Sequence, residues 1–205
     1  WLSARLASLV APYAIFAVLD LVFLPIVGLI FLRLLVRARN WRNVPIALIL
    51  LLLAGANLAF HLAANNMINL APMRALYAGL GFIVVIECVM AGRVVPFFTT
   101  AAISGLKVVT LPWLEFSTLA TTVIGMILWV TEWHSGLATA ALALAFTFNL
   151  VRQLRWHPLA TLERPILWIL HVAYFWLALG LLLLALYAWG LVPLSSGVHA
   201  LGLGA

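Results

Sequence analysis

Apolar residues run in long blocks along this chain, divided by short polar gaps. The blocks cover 6–35, 44–64, 71–95, 114–133, 136–153 and 164–189, and one more opens near Gly197. A helix that crosses a bilayer needs about 20 mostly apolar residues. The six complete blocks meet or approach that length, and none shows the strict alternation of a membrane β-strand. Pro96 is expected to stop the third helix, because the residue before a proline is biased away from helix. The pattern predicts an all-α fold: a polytopic transmembrane helix bundle of six complete helices plus the start of a seventh. It reads as a single membrane-embedded domain over 1–205. The chain opens on Trp1 rather than Met, and the last block is cut short. A piece truncated at both ends is therefore expected.

Composition sharpens this picture. Of 205 residues, 67% are hydrophobic and 8% charged, whereas soluble domains are about a quarter charged. Neither a soluble globular enzyme nor a disordered chain fits. The eleven Lys and Arg against five Asp and Glu give a formal net charge of +6, but a nucleic-acid partner is not implied. The basic residues lie in the gaps: Arg33, Arg37, Arg39 and Arg42 in the first, Arg93 and Lys107 in the third, Arg152, Arg155 and Arg164 in the fifth. Only Arg5 and Arg74 fall elsewhere. Basic loops face the cytoplasm, so the odd gaps are expected inside and the first residues outside. These loop arginines read as topology. Trp1, Trp41, Trp113, Trp133, Trp156 and Trp189 read as anchors at the membrane edges. The third gap, PFFTTAAISGLKVVTLP, is expected to lie along the interface. Cys88 is the one cysteine, which excludes an intrachain disulfide, a four-thiolate cluster and a CxxCH haem attachment.

Polar residues at membrane depth are costly and mark candidate sites. Asp20 lies mid-way along the first helix, Asn57 and His61 in the second, Glu87 in the third, Asn149 in the fifth, His171 in the sixth, and His199 opens the seventh. Asn57 and His61 are four apart and share a helix face, so the amide either orients the imidazole or bonds a neighbouring helix. His61 and His199 reach similar depth. Were their helices adjacent, they would offer the paired neutral nitrogens of a haem or copper site. Alternatively each is an interfacial histidine bonded to backbone carbonyls. His171 is flanked by Trp168 and Tyr174, as an axial ligand in an aromatic pocket or as a packed histidine. Asp20 and Glu87 are either proton carriers or neutral, hydrogen-bonded structural acids. Arg93 can snorkel to the inner interface. No phosphate-cradling glycine loop, HExxH motif or nucleophile elbow is present.

Several of these stretches together resemble the NnrS family. They are Arg39-Asn40-Trp41-Arg42-Asn43 with Pro45, Ala56-Asn57-Leu58 with Phe60-His61, and Gly92-Arg93-Val94-Val95-Pro96-Phe97-Phe98-Thr99. Arg164-Pro165, Leu167-Trp168, Leu170-His171, Tyr174 and Trp176 follow, then His199-Ala200-Leu201 and Gly204-Ala205. The helix-three block is the most distinctive. The resemblance implies a multi-pass bacterial inner-membrane protein that carries haem and copper and acts in nitric oxide response and nitrosative-stress protection during denitrification. It singles out His61, His171 and His199 as candidate cofactor and metal ligands; Asp20, Asn57, Glu87 and Arg93, read from the residues themselves, are the candidate proton and polar network. Nitric oxide is the implied small ligand and the lipid bilayer the implied surroundings. Two other functions compete: a proton-coupled secondary transporter using Asp20 and Glu87, and a structural or assembly role in which the histidines are merely packed.

Overall fold

A computed structural model describes residues 2–204. Its helices are α1 (Leu2–Val10), α2 (Tyr13–Arg37), α3 (Val44–Ala64), α4 (Pro72–Ala102), α5 (Pro112–Thr131), α6 (Ser135–Leu154), α7 (Pro165–Ala188) and α8 (Leu194–His199). A wider π turn over Ala200–Gly204 follows α8. No strand occurs among the described residues. Six helices are long and apolar enough to cross a membrane, so the all-α membrane bundle expected from the sequence is what the chain forms.

Prolines punctuate the helix starts. Pro45, Pro112 and Pro165 sit in the first turns of α3, α5 and α7, where a missing N–H costs nothing. Pro12 instead breaks the expected first helix in two, between α1 and α2. Pro96 does not act as the stop that sequence reasoning assigned to it: α4 runs through it to Ala102. In lipid, ending a helix strands several backbone groups without water, whereas an internal proline strands about one. Continuing the helix is therefore the cheaper outcome. The first seven residues of the third gap, Pro96 to Ala102, are consequently helical rather than interfacial loop.

The chain divides into two compact units, 1–83 and 84–205, with the division inside α4. In the first, α2 packs along α3, with α1 against α2. The buried positions of α3 are mostly alanines, Ala47, Ala54, Ala56 and Ala63, while Val18, Val22, Ile26 and Ile30 of α2 are exposed. Large residues outside and small ones inside is the arrangement expected where lipid, not water, surrounds the helices.

In the second unit α6 packs between α5 and α7, and α8 with the π turn folds back on α7. A Cβ on Gly125 of α5 would lie 3.2 Å from the Leu142 backbone nitrogen of α6, so glycine permits that close approach. The α5–α6 link is short and ends α5 on Glu132 in the left-handed region (φ 50°).

Trp41, Trp113, Trp133 and Trp189 are exposed at helix ends, as anchors should be. Trp156 departs from that expectation: it is 1% exposed and packs on buried polar side chains. Trp1 lies outside the described residues.

Candidate functional site

Each unit holds one buried polar constellation. In the first, Tyr13, Phe16 and Asp20 recur along one face of α2, at spacings of three and four. They meet Asn57 and His61 of α3. Asn57 Nδ2 donates to Asp20 Oδ2 at 2.8 Å, so the amide bonds the neighbouring helix rather than its own histidine. His61 Nε2 lies 3.3 Å from the same oxygen, and its Nδ1 lies 2.8 Å from the Tyr13 hydroxyl. The tautomer with its proton on Nε2 satisfies both contacts, donating to Asp20 and accepting from Tyr13. Phe16 and Phe60 pack edge-on against the imidazole, each with ring centroids 5.4 Å away. His61 is 4% exposed. Its one lone pair is thus committed to Tyr13, so metal ligation there would displace a formed hydrogen bond. Asp20, Asn57 and His61, singled out separately in sequence, form one chain. Tyr13 completes it and was missed, although its spacing of seven to Asp20 was visible.

In the second unit the centre is Arg152. Read from sequence as a topology residue of the fifth gap, it is instead in the last turn of α6 and 2% exposed. Arg155 and Arg164 of the same gap are exposed, as expected. Arg152 Nη1 donates to Glu115 Oε2 at 2.9 Å, and Nη2 donates to the Cys88 carbonyl at 2.8 Å. Nε donates to the Tyr174 hydroxyl at 2.9 Å, which in turn donates to Asn149 Oδ1. Asn149 Nδ2 donates to Thr122 Oγ1 at 3.1 Å. The guanidinium also lies 5.1 Å from the ring centroids of both Trp156 and Tyr174. A buried guanidinium is tolerated because charge, donors and ring faces are all matched. A Cβ on Gly92 would stand 2.8 Å from Arg152 Nη1 and 2.9 Å from Glu115 Oε2; glycine leaves room for the ion pair. Glu115 and Arg152 were missed as site residues. The signal was the spacing of Asn149, Arg152 and Trp156, three and four apart, at the end of α6 and just beyond it.

His171, 4% exposed, borders this cluster. Its ring centroid is 6.4 Å from that of Trp156, and Thr99 Oγ1 is 3.4 Å from its Nε2. Gln153 Nε2 donates to the His171 main-chain carbonyl. His171 Nδ1 and Gln153 Oε1 are both buried and without a hydrogen-bond partner. Both residues line a cleft of about 290 Å³ whose other walls include Leu154, Leu162, Trp168 and Phe175. On α4, Glu87 lines a separate apolar cleft of about 240 Å³ with Leu170 and Leu177, and its Oε2 is buried and unpartnered. Arg93 is half-buried one and a half turns further on.

His199 is exposed, and its Nδ1 lies 2.7 Å from the Ser195 carbonyl. Gly197, two residues before it, packs on Leu184, thirteen residues beyond His171 on α7, or about 20 Å along the helix at 1.5 Å per residue. His171 and His199 therefore do not share a site. No group of three His, Cys, Asp or Glu that could hold a metal ion occurs among the described residues.

Compared with known proteins, the chain matches no curated protein and no solved structure. A family model described as NnrS protein matches residues 1–205, so the chain belongs to the NnrS family.

Proposed function

We propose that this chain is a haem-binding bacterial inner-membrane protein of the nitric oxide response, with His171 as the residue that would hold the haem iron. One observation carries the reading: a buried imidazole with an unpartnered nitrogen lines an apolar, aromatic-walled cleft. Haem would take a ligating side chain, commonly a histidine, and apolar walls around it. His171 supplies the first, and Trp168, Phe175 and Leu162 supply the second. When bound, the haem iron provides a site for a diatomic such as nitric oxide, which is itself soluble in the bilayer. The chain's own residues hold that site. Gln153 fixes the His171 backbone through its carbonyl, Thr99 sits against Nε2, and the apolar walls keep water out. The odd, basic gaps face the cytoplasm in this reading.

Copper does not fit in the same way. No three-residue donor group is assembled among the described residues, and the His61 lone pair is already engaged by Tyr13. No role for copper is assigned to this chain's residues.

The test is the visible spectrum of purified protein from haem-replete cells. A Soret band lost in His171→Ala but kept in His61→Ala and His199→Ala supports the reading. Colourless wild-type protein overturns it.

A second reading, proton-coupled transport, is favoured by one feature: Asp20 and Glu87 are acids at membrane depth, Glu87 with an unpartnered buried oxygen. Proton-coupled uptake into vesicles, abolished by Glu87→Gln, would support it. Uptake indifferent to both Glu87→Gln and Asp20→Asn would remove it.

A further inference from the structure

The first unit holds a hydrogen-bonded chain that the haem reading does not use. Tyr13 opens α2 and is exposed. Asp20 lies seven residues further along the same helix, about 10 Å away at 1.5 Å per residue. His61, buried near the end of α3, stands between them. Its Nδ1 is 2.8 Å from the Tyr13 hydroxyl, and its Nε2 is 3.3 Å from Asp20 Oδ2. One turn beyond His61, α3 ends in a polar connection where Asn65 and Asn66 are exposed. The chain thus runs from a polar helix end to a carboxyl group at membrane depth. Connected acids and histidines at that depth are the material of proton relays.

Two proton arrangements satisfy every bond in this chain. With Asp20 ionised, the Tyr13 hydroxyl donates to Nδ1, and the Nε2 hydrogen is given to Asp20. With Asp20 protonated, its hydroxyl donates to Nε2, and the Nδ1 hydrogen is given to the Tyr13 oxygen. Passing from the first to the second moves hydrogens alone. A hydronium ion gives a proton to the Tyr13 oxygen while the tyrosine's own hydrogen goes to Nδ1. The Nε2–H bond then breaks as the Asp20 O–H bond forms. One proton has gone from water to Asp20, and tyrosine and imidazole are neutral again. Release is the same path reversed. The imidazole never has to turn, which suits a ring held edge-on by Phe16 and Phe60. Asn57 Nδ2 donates to Asp20 Oδ2 at 2.8 Å and keeps the carboxyl group aimed at His61.

Asp20 also lines an apolar cavity of about 420 Å³. Arg5 of α1, which has a partner of its own, is the other charged residue on its wall, and an arginine keeps its proton. The α4 residues that line the cavity are all apolar.

We propose that Tyr13, His61 and Asp20 form a reversible proton relay, which loads and unloads Asp20 from the membrane face at which Tyr13 stands. It requires neither haem at His171 nor the movement of a substrate, so colourless protein or absent uptake leaves it standing.

The experiment follows the infrared band of the protonated Asp20 carboxyl group, identified by its loss in Asp20→Asn, after a laser-released pulse of protons. The full chain is held in lipid nanodiscs. The band is expected to rise in the wild type. Tyr13→Phe removes the entrance of the relay and should slow the rise about a hundredfold, the scale at which one positioned proton-transferring group acts. Nitrogen NMR of wild-type protein with labelled histidine reads the tautomer. His61 should carry its proton on Nε2 while Asp20 is ionised and on Nδ1 once Asp20 is protonated. That measurement decides the matter alone if Tyr13→Phe does not fold. An unslowed rise in Tyr13→Phe, a single His61 tautomer throughout, or no Asp20 band at all overturns the proposal.

Discussion

Arg152 and Glu115 meet at 2.9 Å, one at the end of α6 and the other at the start of α5. The pair is unequal: Arg152 is 2% exposed and Glu115 31%. Removing Glu115 leaves the more deeply buried partner without its counter-charge. Glu115→Gln is therefore expected to cost about 2–3 kcal/mol, towards the low side of buried-pair losses because Glu115 is partly solvated. Replacing both by Arg152→Met with Glu115→Leu should recover part of the loss. Thermal unfolding in detergent would measure each variant, and equal losses for the single and double changes would contradict the pairing argument.

Gly92→Ala should be destabilising although alanine favours helix more than glycine. The added Cβ would crowd both members of the ion pair at under 3 Å, and the guanidinium is held by too many bonds to move aside cheaply. A loss of about 1–3 kcal/mol is expected, as for other overpacked interiors. Gly55→Ala is the control. Nothing lies within 4 Å of its new Cβ, so it should be neutral or gain up to about 1 kcal/mol. Unfolding of the two variants side by side checks the contrast.

Tyr13→Phe removes the donor to His61 Nδ1 and keeps the ring. The expected cost is about 1 kcal/mol, the net value of one hydrogen bond. His61→Ala also leaves Asp20 and Tyr13 short of a partner and opens a void, so about 2–4 kcal/mol is expected. Denaturant titration should place the two in that order, and reversal would show that the imidazole is not what joins α2 to α3.

Gln153→Leu leaves the buried His171 carbonyl without its side-chain donor. It should cost about 1–2 kcal/mol. In haem-loaded protein it should also shift or broaden the Soret band while leaving haem content near wild type. Complete loss of haem would make Gln153 more than a support for the His171 backbone.

The helices were legible because apolar length alone specifies a membrane span. The second run, 44–64, coincides with α3 residue for residue. Pro96 misled because a rule drawn from water-exposed helices was applied where lipid makes helix ends expensive. Arg152 misled for a different reason. Loop charge bias averages over a gap, and it cannot tell Arg155 in solvent from Arg152 three residues earlier, turned onto Tyr174 and Cys88. Asp20, Asn57 and His61 were each visible as polar residues in apolar runs. Their convergence was not, because only Asn57 and His61 share a helix and the third member depends on how α2 lies along α3. His199 was picked for its motif position, yet it is an exposed side chain bonded within its own turn.

The short connection between α5 and α6 bears on how the protein is made. Only Glu132, Trp133 and His134 separate the two helices, so they can enter the membrane as one antiparallel hairpin. In that hairpin Glu115 and Arg152 fall at the same end, and the cation enters the bilayer with its counter-ion beside it. Alone, the α6 segment would carry an uncompensated guanidinium into hydrocarbon, at a cost of about 2.5–3.5 kcal/mol at mid-membrane and less near the edge. Insertion as a pair lowers that barrier before α7 arrives with Tyr174. The ion pair thus bears on insertion as well as on packing.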